Sequence, residues 1–250
     1  MFIVWGKKAV HRQLGHAADF CPMCRCASAF AVRRIGMAGH VYYVSLGEGE
    51  LVGFDRTCGT CGTAYPADPA HYKTLAKKPG ELAALIRDTF PGLAEAWKER
   101  LALEEKVRHQ PAELSSDERG ALIREPFLRL SPKVESRFAT THFDKETGYA
   151  ALGAMVLIGA MPSVAGAIAP AHEGPAFLTA LSVGCGLVVW QIALSGRRYM
   201  QREILPTLAR ALAPLRPTLQ ELGHVLSEMK QHRYKIGSKL SAADVTAALR

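Results

Sequence analysis

Between residues 147 and 196 the mixing of polar and apolar positions that marks the rest of the chain stops. Residues 147–172, TGYAALGAMVLIGAMPSVAGAIAPAH, contain no Asp, Glu, Lys or Arg, and neither do residues 174–196, GPAFLTALSVGCGLVVWQIALSG. A bilayer core of roughly 30 Å is crossed by about 20 helical residues. Each segment is therefore long enough to span once, over about 149–170 and 176–195. Pro162 is tolerated in a membrane helix whose neighbours satisfy the freed backbone. Gly159, Ser163 and Ala167 recur every fourth residue, as do Ala180 and Gly184, and such small faces let two membrane helices approach. Tyr149 and Trp190 suit interfacial anchoring. The competing reading, a buried helical pair in a soluble protein, fits poorly, because consecutive charge-free segments of this length are rare in soluble cores.

Elsewhere the periodicities are those of water-facing elements. AFAVRRI (29–35), HVYYVSL (40–46) and LVGFDRT (51–57) read as three strands, the last two joined by a turn at Gly47–Glu50. Leu82, Ile86, Leu93, Trp97 and Leu101 form a helical stripe over 80–108, interrupted at Phe90, Pro91 and Gly92. A further helix begins near Ser115, which has Glu118 three positions on in capping-box spacing. Its stripe continues through Leu122, Phe127, Leu130, Val134 and Phe138, with a break predicted at Pro126 or Pro132. Glu104, Glu105, Glu113, Asp117 and Glu118 read as a solvated face, and His109 with Glu105 as a surface pair. Beyond the second apolar segment, Leu208, Leu212, Leu215, Leu219, Leu222, Leu226 and Met229 alternate by four and three, the seam of a coiled coil. Pro214 and Pro217 argue against one uninterrupted helix. The seam can serve self-association or pack on the helices of residues 80–140. A last short helix starts at Ser241, capped by Asp244, after a basic loop at 230–239.

Charge orients this plan. The formal net charge is +8, yet residues 149–196 hold one charged side chain, Glu173. Arg129, Lys133, Arg137 and Lys145 precede the first apolar segment, and Arg197, Arg198, Arg202, Arg210 and Arg216 follow the second. The connection PAHEGP has no Lys or Arg, so the positive-inside rule places both termini in the cytoplasm and a short turn outside. His172 and Glu173 then sit in a solvated turn. The segments hold no ionisable group except Cys185, which disfavours transport, and Cys185 reads as a small apolar filler. The opening MFIVWGKK lacks the charge-then-apolar order of a signal peptide.

A cytoplasmic N-terminus is kept reduced, which makes clustered cysteines metal ligands rather than disulfides. Cys21-Pro22-Met23-Cys24 and Cys58-Gly59-Thr60-Cys61 each let one tight turn aim two sulfurs at one ion. Four thiolates close the tetrahedral shell of a structural zinc and leave no position for a reacting water. Two such turns with a few antiparallel strands between them make a zinc ribbon, whose small core depends on the metal for folding. An iron centre on the same sulfurs is the alternative; a redox pair would need a βαβ context that is missing. Cys26 reads as a bystander thiol, and His11, His16, His40 and His71 as ordinary histidines rather than spare ligands.

The opening MFIVWGKK, then LGHAADFCPMC, then HVYYVSLGEGELVGFDRTCGTCGTAYP resembles the short N-terminal zinc-ribbon domain of uncharacterised bacterial membrane proteins. The resemblance covers roughly residues 1–70 and implies an opening extended strand from Phe2 to Gly6. Two departures stand out: Arg25 where the family commonly has glycine, and the extra Cys26. The whole chain is expected to be a multi-domain α+β protein. Its parts are a zinc-ribbon domain at 1–75, a cytoplasmic helical region at 79–146, a transmembrane hairpin at 148–196 and a cytoplasmic helical tail at 197–250. No nucleophile–base spacing, phosphate loop or open metal position is present, so no catalytic residue is assigned. The expected function is a non-enzymatic protein-interaction or scaffold module anchored in the bacterial inner membrane. Its expected partners are the lipid bilayer, another protein and, through Leu208, Leu212, Leu215, Leu219, Leu222 and Leu226, a second copy. Nucleic-acid binding through Arg33, Arg34, Tyr42, Tyr43 and Arg56 is the alternative.

Overall fold

The computed structural model describes residues 5–41, 44–45, 47–140, 144–169 and 173–249. Tyr42, Tyr43, His172 and the start of the Phe2–Gly6 strand lie outside them. An N-terminal antiparallel sheet is followed by helices, two of them long and apolar, which is an α+β layout. Contacts divide the chain into two units, Met1–Pro126 with Arg210–Arg216, and Phe127–Ala209 with Pro217–Arg250.

In the first unit the sheet has strand order β1-β2-β4-β5, formed by β1 (Trp5–Cys21), β2 (Cys26–Val41), β4 (Glu50–Cys58) and β5 (Ala64–Pro66). The two-residue β3 (Val44–Ser45) folds back on the end of β2. This differs from the strands expected. Segments 29–35 and 40–41 belong to one long strand, and 51–57 pairs with 31–36 rather than with 40–46. Alternation marks that a segment is a strand but does not choose its neighbour. The whole of β1 beyond Gly6 went unread, because its outer half is exposed and polar and its inner half is small and buried.

The sheet and the next helices share one core. Ala17, Ala18 and Val32 pack with Tyr72, with Leu85 of α1 (Leu82–Thr89), with Phe90 and with Leu93 of α2 (Leu93–Ala96). The core of the sheet thus includes side chains from beyond residue 75. The buried Thr89 hydroxyl ties the layers, accepting from the Ala18 amide at 3.0 Å and donating to the Leu85 carbonyl at 2.7 Å. The predicted interruption at 90–92 separates α1 from α2, and α3 (Lys98–His109) completes this layer.

The Ser115–Glu118 capping box is present, its two bonds measuring 2.9 and 3.1 Å. The helix that follows, α4 (Ser116–Ala139), runs through Pro126 and Pro132 without the expected break. Each interior proline costs about 3 kcal/mol. Leu122, Ile123, Phe127, Leu130 and Val134 are all at most 2% exposed, and burial of such side chains contributes about 1.5–3 kcal/mol apiece. Packing overrides propensity here.

In the second unit α5 (Lys145–Ile168) and α6 (Glu173–Tyr199) pack along each other. Their contact uses Ala150, Ala154, Ala180 and Gly184, where a Cβ added at Gly184 would lie 3.1 Å from that of Ala154. The Gly159–Ser163–Ala167 row points away instead, and Ser163 satisfies its hydroxyl on the Gly159 carbonyl at 3.1 Å. Small residues every fourth position are necessary for close approach but do not decide which row is used. At the base, Asp144 caps α5 by accepting from the Thr147 amide at 2.9 Å and receives the Arg198 guanidinium at 2.8 Å.

Past α6, a π-helical turn at Met200–Ile204 leads into α7 (Leu205–Leu212). The seven-residue leucine repeat does not form one seam. A 3₁₀ turn (Ala213–Leu215) and a left-handed Arg216, with φ 44°, break it before α8 (Leu219–Gln231). Thr218 and Glu221 form a second capping box there. Of the six leucines, five are at most 6% exposed within this chain, and only Leu219 lies open. The coiled coil is thus replaced by short helices that bury the same side chains. The stretch 230–239 is not a loop throughout, since Lys235–Lys239 form α9. The final helix α10 (Ala242–Ala248) carries the expected Ser241–Asp244 box.

Candidate metal centre

The first cysteine turn joins β1 to β2 and the second joins β4 to β5, so the sheet order places both at one end. Cys21 closes β1, and its carbonyl accepts from the Arg25 amide at 2.7 Å. Cys58 closes β4, and its carbonyl accepts from the Gly62 amide at 2.9 Å. In both turns the residue after the second cysteine is left-handed, Arg25 at φ 58° and Gly62 at φ 68°. The amide of the second cysteine also points at the first sulfur in each, Cys24 to Cys21 and Cys61 to Cys58. One backbone trace is therefore built twice.

The four sulfurs meet. Those of Cys21, Cys24, Cys58 and Cys61 lie within 4.8 Å of one another, and cross-turn pairs are 3.6 Å (Cys21–Cys61) and 3.8 Å (Cys24–Cys58) apart. These are not disulfides, which need about 2.05 Å, and all four are free thiols. The set is compatible with a metal site. Cys26 stands outside it, with its sulfur 3.8 Å from the Ser28 hydroxyl. The histidines stay elsewhere as well. His11 is 3.6 Å from Asp55, His16 bonds Gln13 at 2.8 Å, and His71 stacks edge-on against Phe90.

The electrostatics of the quartet are compatible with a cation among the sulfurs. Hydrogen bonds with the Cys58 and Cys61 sulfurs, reinforced by burial, raise the Cys21 thiol well above its ordinary range. Burial and then the Cys61 and Cys58 charges push Cys24 up to about 12. Cys58 is lowered, because Cys21 and Cys61 donate to its sulfur along with the Cys61 and Thr60 amides. One thiolate forms readily and makes the next harder to form. Full ionisation of four adjacent sulfurs requires a cation among them.

Two buried polar clusters hold the centre, and neither was foreseen. Arg25 is 4% exposed and pairs with Glu104, also 4% exposed, at 2.7 Å. Glu104 is thus not on a solvated face. It also accepts from Arg100 at 3.0 Å, and Arg100 continues to Glu125 at 2.6 Å. Two positions before Cys21 on β1, the buried Asp19 carboxylate accepts from Tyr72 at 2.9 Å and Trp97 at 2.8 Å and pairs with Arg56. An acid in the apolar run AADFC was the available signal for this cluster. The proposed nucleic-acid arginines are occupied too. Arg33 forks onto Asp55 at 2.9 and 2.8 Å, Arg34 bonds the Glu48 and Gly49 carbonyls, and Arg56 is held by Asp19.

No family model, curated protein sequence or solved structure matches this chain.

Proposed function

We infer that this chain is a membrane-anchored cytoplasmic protein whose zinc-closed sheet serves as a non-enzymatic interaction module. The observation that carries the reading is the convergence of the four sulfurs. A tetrahedron with zinc–sulfur bonds of about 2.3 Å has edges of about 3.8 Å, and the cross-turn sulfurs are 3.6 and 3.8 Å apart. Cys21, Cys24, Cys58 and Cys61 would hold the ion, which supplies folding free energy. With four thiolates bound, its shell has no place for substrate or water. The zinc ribbon remains the best description of the resulting domain.

The anchor reading is supported by what the apolar helices expose. Their most apolar 18-residue windows are only 6% and 11% buried. Leu152, Met155, Val156, Val164, Leu178, Val183 and Val189 are each more than half exposed. Water does not tolerate such a surface, whereas lipid does. The Lys and Arg flanks orient both termini to the cytoplasm.

The interaction reading is supported by the sheet end far from the cysteines. There β1 is an edge strand, and Met37, Val44, Leu51 and Val52 are exposed. A long edge with apolar neighbours is a surface to which another protein chain can add. The test is cross-linking from Lys7 and Lys8 in intact membranes, comparing the native chain with Leu51→Asp/Val52→Asp. A defined protein adduct lost in the variant is expected. Identical adducts in both, or substrate turnover by the purified protein, would overturn the module reading.

A further inference from the structure

Where α6 leaves its charge-free run, a cavity of about 310 Å³ opens against its side. Ala193 lines it one turn inside the run, while Arg197 and Gln201 line it just beyond. Ala193 and Arg197 are about 6 Å apart along the axis, the distance over which acyl chain gives way to headgroup. Phe138 at the end of α4 forms a wall. A Cβ at Gly196 would come within 2.7 Å of its ring, so glycine is what allows the ring to lie on the α6 backbone. From the opposite side comes Lys239 of α9, its ammonium 5.2 Å from the centre of the Phe138 ring. The π-helical turn at Met200–Ile204 borders the same space, since both Met200 and Gln201 line it. Such wide turns frequently mark functional sites.

The lining combines apolar groups, Phe138, Met200 and Leu240 among them, with the polar side chains of Arg197, Lys239 and Asp244. The one acid, Asp244, accepts from the Ser241 hydroxyl at 2.6 Å and the Ser241 amide at 3.2 Å, and these bonds together with the Arg197 charge hold its carboxyl below the usual range. Arg197 and Lys239 are exposed, and among the described residues neither makes an ion pair at contact distance. Two cations therefore share one mouth with a single carboxylate, which offsets only part of their charge.

We propose that this cavity binds the phosphate headgroup of an anionic phospholipid between Arg197 and Lys239, with an acyl chain running past Phe138 and Ala193. The proposal rests on the bilayer reading of α5 and α6, which puts the mouth at the cytoplasmic headgroup level. A basic pocket there is the expected form of a lipid-headgroup site, and each Lys or Arg near the surface strengthens anionic-lipid binding about fivefold.

The test uses the full chain, purified in mild detergent, stripped of lipid and followed by native mass spectrometry. It is titrated with phosphatidylglycerol, with phosphatidylcholine of the same acyl chains, and with glycerol 3-phosphate. Phosphatidylglycerol should saturate at one tightly held molecule per chain, and phosphatidylcholine should bind at least about tenfold more weakly. Glycerol 3-phosphate should leave no adduct. Arg197→Gln/Lys239→Gln should weaken phosphatidylglycerol about tenfold or more, while Arg197→Lys/Lys239→Arg retains it. Alkaline carbonate extraction of membranes carrying each variant runs alongside. Equal binding of the two lipids, or no loss in the double glutamine variant, overturns the site while pellets that resist carbonate keep the anchor reading. Release of the native chain into carbonate overturns both. Glycerol 3-phosphate bound as tightly as the lipid would make this a soluble-phosphate site and overturn the proposal.

Discussion

The two cysteine turns follow the same path and solve its one difficult position differently. After Cys61 the left-handed residue is Gly62, which meets nothing within 4 Å where a side chain would be. After Cys24 it is Arg25, for which a left-handed backbone costs on the order of 1–2 kcal/mol. That residue is also among the most buried polar groups of the chain. Its guanidinium bonds Glu104 at 2.7 Å, and its carbonyl accepts from Arg108 at 3.1 Å. Burial pulls the Arg25 pKa down and the Glu104 charge opposes it. The second turn is thus shaped by its backbone alone. The first is shaped by a strained residue that the helical layer holds in place, and through it the cysteine end of the sheet is fastened to α3.

The largest test of this contrast removes what the turns share. Cys58→Ser would deprive both of the proposed common ion, and such binding is worth on the order of 10–16 kcal/mol in small structural sites. That equals or exceeds the stability of a typical domain. Loss of zinc by elemental analysis should therefore come with loss of the sheet's circular dichroism signal. A folded, zinc-free variant would show that the core of Ala17, Val32, Leu85 and Phe90 suffices by itself.

Next is the asymmetry itself. Glu104→Ala leaves the buried Arg25 charge without its partner and should cost about 3–5 kcal/mol in chemical denaturation. Arg25→Gly should cost clearly less, because relief of the left-handed strain offsets part of the loss and Arg100 still holds Glu104. If the two variants were equally destabilised, Arg25 would not be strained. Gly62→Ala should cost only about 1–2 kcal/mol, with zinc content unchanged, since the space around it is open.

The smallest effect is a proton count. Cys21 is raised and Cys24 stands at about 12, so the metal-free first turn holds its protons at neutral pH, whereas Cys58 of the second is shifted toward its thiolate by the donors around it. Metal binding must expel the protons from Cys21 and Cys24, and affinity should rise with pH through neutrality. Calorimetry of zinc uptake in buffers of different ionisation enthalpy should find at least about two protons released per ion. Release of about one or none would mean that the first turn is ionised beforehand.

How much of this was legible in the chain follows from the range of each interaction. Local chemistry read well: two residues between cysteines, the capping pairs at Ser115 and Ser241, the interruption at Phe90 to Gly92 and the two charge-free helices. All depend on neighbours a few positions away. What failed depends on distant partners. Glu104 looked like one acid among five until Arg25, 79 positions earlier, was found against it. The 51–57 strand was recognised but given the wrong neighbour, since pleat alternation is blind to pairing. Pro126 and Pro132 promised a break that buried packing overrode. The leucine repeat kept its spacing across Pro214 and Pro217, where a left-handed Arg216 ends the helix that the spacing implied. Of the cysteine cluster, the four members were readable and the buried polar groups packed near them were not.

Zinc K-edge X-ray absorption on the purified full-length chain tests the central claim most directly. A single shell of four sulfurs at about 2.3 Å, with one zinc per chain that Cys58→Ser abolishes, is the predicted result. A shell containing nitrogen or oxygen, or Cys21–Cys24 and Cys58–Cys61 recovered as disulfides from protein handled without oxidant, would contradict it.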